Sequence, residues 1–324
     1  MSFDVLIIGA GWAGLTAAGE LAANGHRVQV LEKARGPGGR SATRRVERAR
    51  FDHGAQYFTA RSAAFARQLQ QWRDLDVAGP WRPRLKVIGD HGGHSDPDAV
   101  SRYVAMPGMN GICRHMAGSL DCRYQARVER VSHDGGWQVQ LVGGETLAAR
   151  KLLITAPAPQ TTALLGEADP LHGALHEIRF EPCLSAMVTF ASAFDPGFDA
   201  GFVNEAGALS WLACNSSKPG RRGHDWVLHA TPDWSRSWLE AEFDEVAERL
   251  LEALAQLVDV SLPEVDWLAG HRWRYAHALN PLREGFLFDA ERSLAVAGDW
   301  ASGNRIEGAW TSGRKAGRWL AELG

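Results

Sequence analysis

A glycine triplet set between a strand and a helix constrains this chain more than any other feature. Residues 4–9 run Asp-Val-Leu-Ile-Ile-Gly, an apolar strand pattern ended by glycine. Ala17, Ala18, Leu21 and Ala22 follow at helical spacing, then Gly25 and a second apolar run from Val28 to Leu31. That is a βαβ unit, with Gly9-Ala10-Gly11-Trp12-Ala13-Gly14 at its first turn and Glu32 ending its second strand, eighteen residues past the third glycine. Gly9 permits the tight turn, Gly11 lets a pyrophosphate approach the backbone, Gly14 lets the helix pack close, and Glu32 accepts ribose hydroxyls. The helix N-terminus presents unpaired N–H groups and a partial positive charge to the diphosphate. A glycine-rich turn alone would not need helix, Gly25 and Glu32 in register, so the motif predicts an adenine dinucleotide.

Length and charge narrow the partners. The 324 residues allow about two domains, and 45% hydrophobic with 23% charged content suits a globular chain with a sizeable core. With 35 Lys and Arg against 38 Asp and Glu, no basic field exists to hold nucleic acid or an anionic membrane. The uncharged stretch Val5 to Gly19 is shorter than the ~20 residues of a spanning helix, and Asp4 stands where a signal peptide would be basic. A cytoplasmic location is the expectation. Cys113, Cys122, Cys183 and Cys214 show no CxxC spacing and read as reduced thiols. His91 and His94 lack a third ligand at suitable spacing, so no metal is expected. Arg44, Arg45, Arg48 and Arg50, with Glu47 among them, read as a solvated loop.

Periodicity outlines the rest. A helix is expected over 59–76, two short strands between Gly79 and Val104, a helix over 108–116, and strands near 124–132, 137–142 and 151–155. From about 166 to 285 strands near 184–191, 209–214, 226–230 and 267–275 flank one strong helix. Ser237 and Glu240 stand in capping-box spacing at its start, and Phe243, Val246, Ala247, Leu250, Leu254 and Leu257 form its apolar face. Six tryptophans in this region, Trp211, Trp226, Trp234, Trp238, Trp267 and Trp273, could face a planar ligand. A last strand, 293–297, ends in Gly298-Asp299, and a final helix covers 308–323.

Beyond Glu32, the run Lys33-Ala34-Arg35-Gly36-Pro37-Gly38-Gly39-Arg40-Ser41 resembles the pyrophosphate-site extension of flavoproteins in the amine-oxidase and renalase superfamily. A second stretch agrees with it. Leu294 to Asp299 is a strand delivering a carboxylate suited to ribityl hydroxyls, and Glu307-Gly308-Ala309 starts a helix whose amides can face the flavin. Asp52-His53-Gly54-Ala55-Gln56-Tyr57-Phe58, Met106-Pro107-Gly108-Met109, Trp211 to Pro219, Trp226 to Thr231, His271 to Ala276 and Arg305 to Trp310 resemble bacterial renalase-like flavoproteins across essentially the whole chain.

The resemblance implies an α/β plus α+β architecture: a Rossmann-type FAD-binding domain of the hydroxybenzoate-hydroxylase type (1–58, 105–165, 286–324) and a smaller substrate domain on an antiparallel sheet (59–104, 166–285). FAD would be held non-covalently. Its implied contacts are Gly9, Gly11, Trp12, Ala13, Gly14, Glu32, Lys33, Gly39, Arg40, Ser41, Ala55, Gln56, Tyr57, Phe58, Val128, Pro157, Gly298, Asp299, Arg305, Glu307, Gly308 and Ala309. The implied reaction is oxidation of 2- or 6-dihydro-NAD(P), with dioxygen reoxidising the flavin to give hydrogen peroxide and no protein partner involved. Hydride leaving a dihydropyridine creates an aromatic cation, so neither a general base nor a nucleophile is required, only a flat slot that stacks two rings. Trp211, Asn215, His229, Tyr275 and Gln56 are the expected pocket residues, though core packing or a turn explains each of the first four as well. An amine oxidase and a non-catalytic dinucleotide-binding flavoprotein stand as alternatives.

Overall fold

A computed structural model describes residues 3–47, 49–89, 100–204 and 207–323. The chain divides into two compact units of comparable length. The first comprises Met1–Gly39, Ile112–Arg179 and Ala278–Gly324, the second Arg40–Gly111 and Phe180–His277. These bounds depart from the expected ones at four stretches, each for a local reason. Residues 40–58 join the second unit because Phe51, on the hairpin Arg44–Val46 and Ala49–Phe51, is buried against Met187 and Val227. Residues 105–111 follow because Arg102–Ala105 pairs with Ala78–Trp81. The stretches 166–179 and 278–285 fall in the first unit, where Leu279 N–H donates to the Arg179 carbonyl (2.8 Å) and Leu282 N–H to that of Trp300 (2.8 Å).

The first unit is built on a sheet ordered Phe286–Asp289, Leu294–Ala297, Thr146–Ile154, Phe3–Ile8, Val28–Leu31, Cys122–Arg123, with Trp137–Leu141 and Val128–His133 added through Thr146–Ile154. Phe3–Ile8 lies parallel to both neighbours, with Leu6 opposite Leu152 and Val5 opposite Val28. Val5, Leu6, Ile7, Leu152, Leu153 and Ile154 are wholly buried, the continuous apolar pattern of a parallel strand covered on both faces. Helices Trp12–Ala23 and Ile306–Glu322 pack together through small residues: a Cβ on Gly313 would lie 2.1 Å from the Ala13 carbonyl oxygen. The first and last segments of the chain are thereby joined.

The second unit has a six-stranded, mainly antiparallel sheet ordered Val265–Ala278, Phe180–Phe190, Asp225–Ala230, Leu209–Cys214, Ala200–Val203, Leu85–Ile88, the last pair parallel. Val246, Leu250 and Leu254 of helix Phe243–Leu257 bury their side chains in its core beside Ala247, the three larger ones contributing about 1.5–3 kcal/mol each. The expected capping box is not formed. Ser237 ends a separate short helix, Pro232–Ser237, where its hydroxyl donates to the Asp233 carbonyl (3.1 Å), and the long helix starts six residues later without a side-chain cap. Most of the tryptophans are structural: Trp226 is core, Trp234 and Trp238 stack on each other and pack against it, and Trp267 stacks on Phe51. His91, His94 and Arg48 lie outside the described residues. Among the described residues no helix is long and apolar enough to cross a membrane, no group of three or more His, Cys, Asp or Glu could hold a metal, and the four cysteines are unpaired.

Candidate functional site

In the first unit, three glycines have three different causes. Gly9 adopts φ 109° and faces Thr155, whose hydroxyl donates to the Ile8 (2.9 Å) and Gly9 (3.2 Å) carbonyls; a Cβ on Gly9 would stand 2.6 Å from that hydroxyl. Gly14 is demanded by helix–strand packing, since its Cβ would come within 2.0 Å of the Gly9 carbonyl oxygen. A Cβ on Gly11 would meet no protein atom within 4 Å. Packing within the protein therefore does not account for glycine there, whereas close approach of a diphosphate to the helix N-terminus would.

The surrounding groups fit the same ligand. Gly38 N–H donates to the Ala10 carbonyl (2.9 Å), and Gly39, at φ 54°, brings its Cβ position within 3.6 Å of the Gly11 Cα, so the loop folds back over the first turn. The buried Glu32 accepts from Ala10 N–H through one oxygen (2.9 Å) and from Ala34 N–H through the other (2.8 Å). That fixes the carboxylate and leaves each oxygen one lone pair for a ribose hydroxyl. Trp12 and Ala13 are buried in the helix, while Lys33 is exposed. Val128 opens the strand Val128–His133 and Pro157 caps the helix Ala158–Leu165.

At the other end of the chain, Leu294–Ala297 leads into Gly298 and Asp299. The Gly298 amide donates to the Ser312 hydroxyl (2.9 Å), and the Asp299 carboxylate accepts from Trp300 N–H (2.9 Å). Gly308 packs against this turn, where a Cβ would lie 2.3 Å from the Ser302 carbonyl oxygen. One expectation is corrected here. The helix begins at Ile306 with Arg305 as its N-cap, and the Ala309 amide is already donated to the Arg305 carbonyl (2.9 Å), so that amide cannot serve a ligand.

In the second unit, three of the five expected pocket side chains meet in one buried cluster, built around residues the sequence reading did not assign to it. Asp52, fully buried, accepts from the Thr43 hydroxyl (2.8 Å), from Met109 N–H (2.7 Å) and from Arg221 through Nε (3.1 Å) and Nη2 (2.6 Å). Lys218, with no exposed side-chain surface, places Nζ 3.1 Å from Gln56 Oε1, 3.0 Å from Asn215 Oδ1 and 3.5 Å from Asp52. The amide nitrogen of Gln56 donates to the carbonyls of Asp52 and Gly54, and that of Asn215 to Arg50 (2.5 Å). His229 Nε2 lies 3.2 Å from the His53 carbonyl and 3.4 Å from Gln56. A ring bonded to that carbonyl carries its proton on Nε2. Gly54 must be glycine, because a Cβ would fall 2.0 Å from the Arg40 carbonyl oxygen, which also accepts from Ala55 N–H (2.9 Å).

Burial sets the charge states. It holds His53 and His229 down to about 4 and His271 to about 3, so all three rings are neutral at pH 7. Burial also lowers Lys218 to about 8, against the pull of Asp52. For Asp52, burial alone would raise the pKa, but the charges of Lys218 and Arg221 prevail and hold it below the ordinary carboxylate value.

Beside this cluster stands an aromatic group: Tyr57 lies 5.7 Å from Trp211 and 6.1 Å from Trp81, ring centre to ring centre, and Phe202 stands edge-on to Trp211 at 4.7 Å. Lys218 Nζ is 5.3 Å from the Trp81 ring centre, which ties the two groups together. The Trp211 indole nitrogen is buried with no hydrogen-bond partner among the described residues. Phe58 hydrogen-bonds Tyr103 through its backbone and packs its ring on Phe65, and Ser41 is buried. Tyr275 is not part of the cluster. Its ring stands edge-on to Phe180, and its carbonyl and that of Ala276 accept from Arg40 (3.4 and 3.2 Å). Asp52, Lys218 and Arg221 are the residues that sequence reasoning did not place in the cluster. Only their place in the motifs around Gln56 and Asn215 pointed to them, since an ion pair spanning 169 residues leaves no local pattern.

Comparison with known proteins matches residues 7–72 to an NAD(P)-binding Rossmann-like domain and residues 70–318 to the flavin-containing amine oxidoreductase family. Among solved structures, the chain is similar to cyclohexylamine oxidase from Brevibacterium oxydans IH-35A (TM-score 0.77, 15% identity, 99% of each chain covered). It is also similar to a candidate protoporphyrinogen oxidase from Exiguobacterium sp. 255-15 (0.76, 13%, 99% of each) and to putrescine oxidase bound to putrescine (0.71, 15%, 99% of each). At these identities the likeness establishes a shared fold.

Proposed function

This chain belongs to the flavin-containing amine oxidoreductase family and is an oxidoreductase with FAD as its cofactor, and from that premise we propose that it oxidises isomeric dihydronicotinamide dinucleotides, the 2- or 6-dihydro forms of NAD or NADP. The observation that supports this reading is the charge of the Gln56–Asn215–His229 cluster: its one carboxylate, Asp52, is committed to Arg221 and Lys218. A protonated amine finds no anion there. A dihydropyridine ring needs none, and it needs no base either, because loss of hydride leaves an aromatic cation without deprotonation. Three neutral histidines are compatible with such a reaction.

FAD, when bound without a covalent link, supplies a two-electron acceptor that dioxygen restores with formation of hydrogen peroxide. The chain's own part is positional. Trp211 and Tyr57 offer flat apolar surface that excludes water. Glu32 and the first turn hold the adenosine end of the cofactor. The same reading has the protein act in the cytoplasm on a small molecule and dioxygen, without a protein partner.

Anaerobic mixing of FAD-loaded protein with 2- and 6-dihydro-NAD(P) tests it: the visible flavin band should bleach within seconds, and persistence of the band with both isomers refutes the reading. An amine substrate is the second reading, favoured by the family match itself. Peroxide release from primary amines or polyamines in air, with no response to the dihydronicotinamides, would establish it instead.

A further inference from the structure

We propose that Lys218 is a specificity-determining residue: its buried ammonium repels protonated amines from the Gln56–Asn215–Trp211 cluster and favours a substrate whose reacting ring is uncharged. The inference rests on the oxidase reading for the identity of that substrate, but the charge selection stands on geometry of its own.

An ammonium ion can be received in a protein by a carboxylate, by amide or carbonyl oxygens, or by the face of an aromatic ring. In this cluster the protein's own cations already engage all three kinds of group. The Asp52 carboxylate is held by both Nε and Nη2 of Arg221, with the Thr43 hydroxyl and the Met109 amide on its other oxygen. The side-chain oxygens of Gln56 and Asn215 both point at Lys218 Nζ, which turns their NH2 groups toward the Gly54 and Arg50 carbonyls. Among the rings, Lys218 lies over Trp81 and Arg102 over Tyr57, each at 5.3 Å.

The charges facing Lys218 do not cancel. Among the described residues Asp52 is the one anion paired with Lys218, and Arg221 is a second cation already paired with it. Cys214 is kept a neutral thiol by burial, and His229 is a neutral ring. One positive charge is therefore left over in a site sheltered from water, where screening is weak. A second unit charge roughly 6 Å away, at an effective dielectric near 20, would bind about a hundredfold more weakly than an uncharged isostere.

The test compares cyclohexylamine with cyclohexanol, its uncharged isostere, by calorimetric titration of FAD-loaded protein at pH 7. Wild type should prefer the alcohol by about a hundredfold. Lys218→Met should bring the preference within about threefold, while Lys218→Arg, which keeps the charge, should retain most of it. In wild type the preference should also shrink between pH 7 and 9 as Lys218 loses its proton near about 8, a readout that does not depend on any variant folding. Equal binding of both probes by wild type, binding of neither, or an unchanged preference in Lys218→Met overturns the proposal. A preserved alcohol preference with no flavin bleaching by dihydronicotinamides would overturn the oxidase reading and leave the role of Lys218 intact.

Discussion

Replacing Asp52 by Asn removes the one negative charge from a cluster that buries two cations. The side chains of Asp52, Lys218 and Arg221 have no exposed surface, so water cannot take over for the lost carboxylate. Breaking a buried ion pair by deleting one partner costs about 3–5 kcal/mol, mostly the penalty of the charge left behind. Lys218→Met should cost far less. Asp52 keeps Arg221, Met109 and Thr43, Asn215 Oδ1 still faces the Asp52 amide at 3.4 Å, and only Gln56 Oε1 loses its donor. One unsatisfied buried acceptor is worth about 1–3 kcal/mol, and relief of the desolvated ammonium offsets part of that. Guanidinium unfolding of FAD-loaded wild type and both variants at pH 7 measures the difference. The expected order is a loss for Asp52→Asn at least twice that for Lys218→Met. A loss below about 1 kcal/mol for Asp52→Asn, or equal losses for the two, would show that the cluster is not held by the carboxylate and would refute the reasoning.

Acid should weaken the protein before its carboxylates titrate. His53, His229 and His271 remain neutral in the folded chain down to about 4, 4 and 3, whereas in the unfolded chain they take protons near 6.5. The unfolded state therefore binds more protons between those limits, and stability falls as pH drops from 6.5 toward 4, by at most about 1.4 kcal/mol per pH unit per ring. The slope of unfolding free energy against pH should approach roughly two to three protons near pH 5, and a flat profile between pH 7 and 5 would contradict the burial of these rings. The first-turn glycines should separate by cause: Gly14→Ala, with its Cβ 2.0 Å from the Gly9 carbonyl, should lose about 1–3 kcal/mol and its flavin. Gly11→Ala, which meets no protein atom, should fold as stably as wild type without FAD yet purify with less bound flavin; full flavin content would exclude Gly11 from the diphosphate site.

The two glycine-bearing stretches were legible because each is a local statement. A strand of consecutive apolar residues, a glycine where the turn needs positive φ, and an acid at the next strand's end are read off neighbouring positions, and Gly9 and Gly14 do in the structure what their spacing implies. Local signals misled where two readings share one pattern. Ser237 and Glu240 have capping-box spacing, yet Ser237 closes a short helix begun at Pro232. The cluster of tryptophans suggested a planar ligand, but Trp226, Trp234 and Trp238 serve the core of the second sheet.

The amino-acid order by itself determined the βαβ cradle and the second glycine–aspartate strand, since these depend on backbone conformation and on hydrophobic periods of a few residues, and its motifs carried the resemblance that pointed to the family and its flavin. Tertiary structure alone decided the charge of the second unit's buried cluster. Asp52, Lys218 and Arg221 come from segments more than 160 residues apart, and whether each counts as a solvated surface charge or a buried one depends on how much water folding removes around it, a quantity that no stretch of sequence contains.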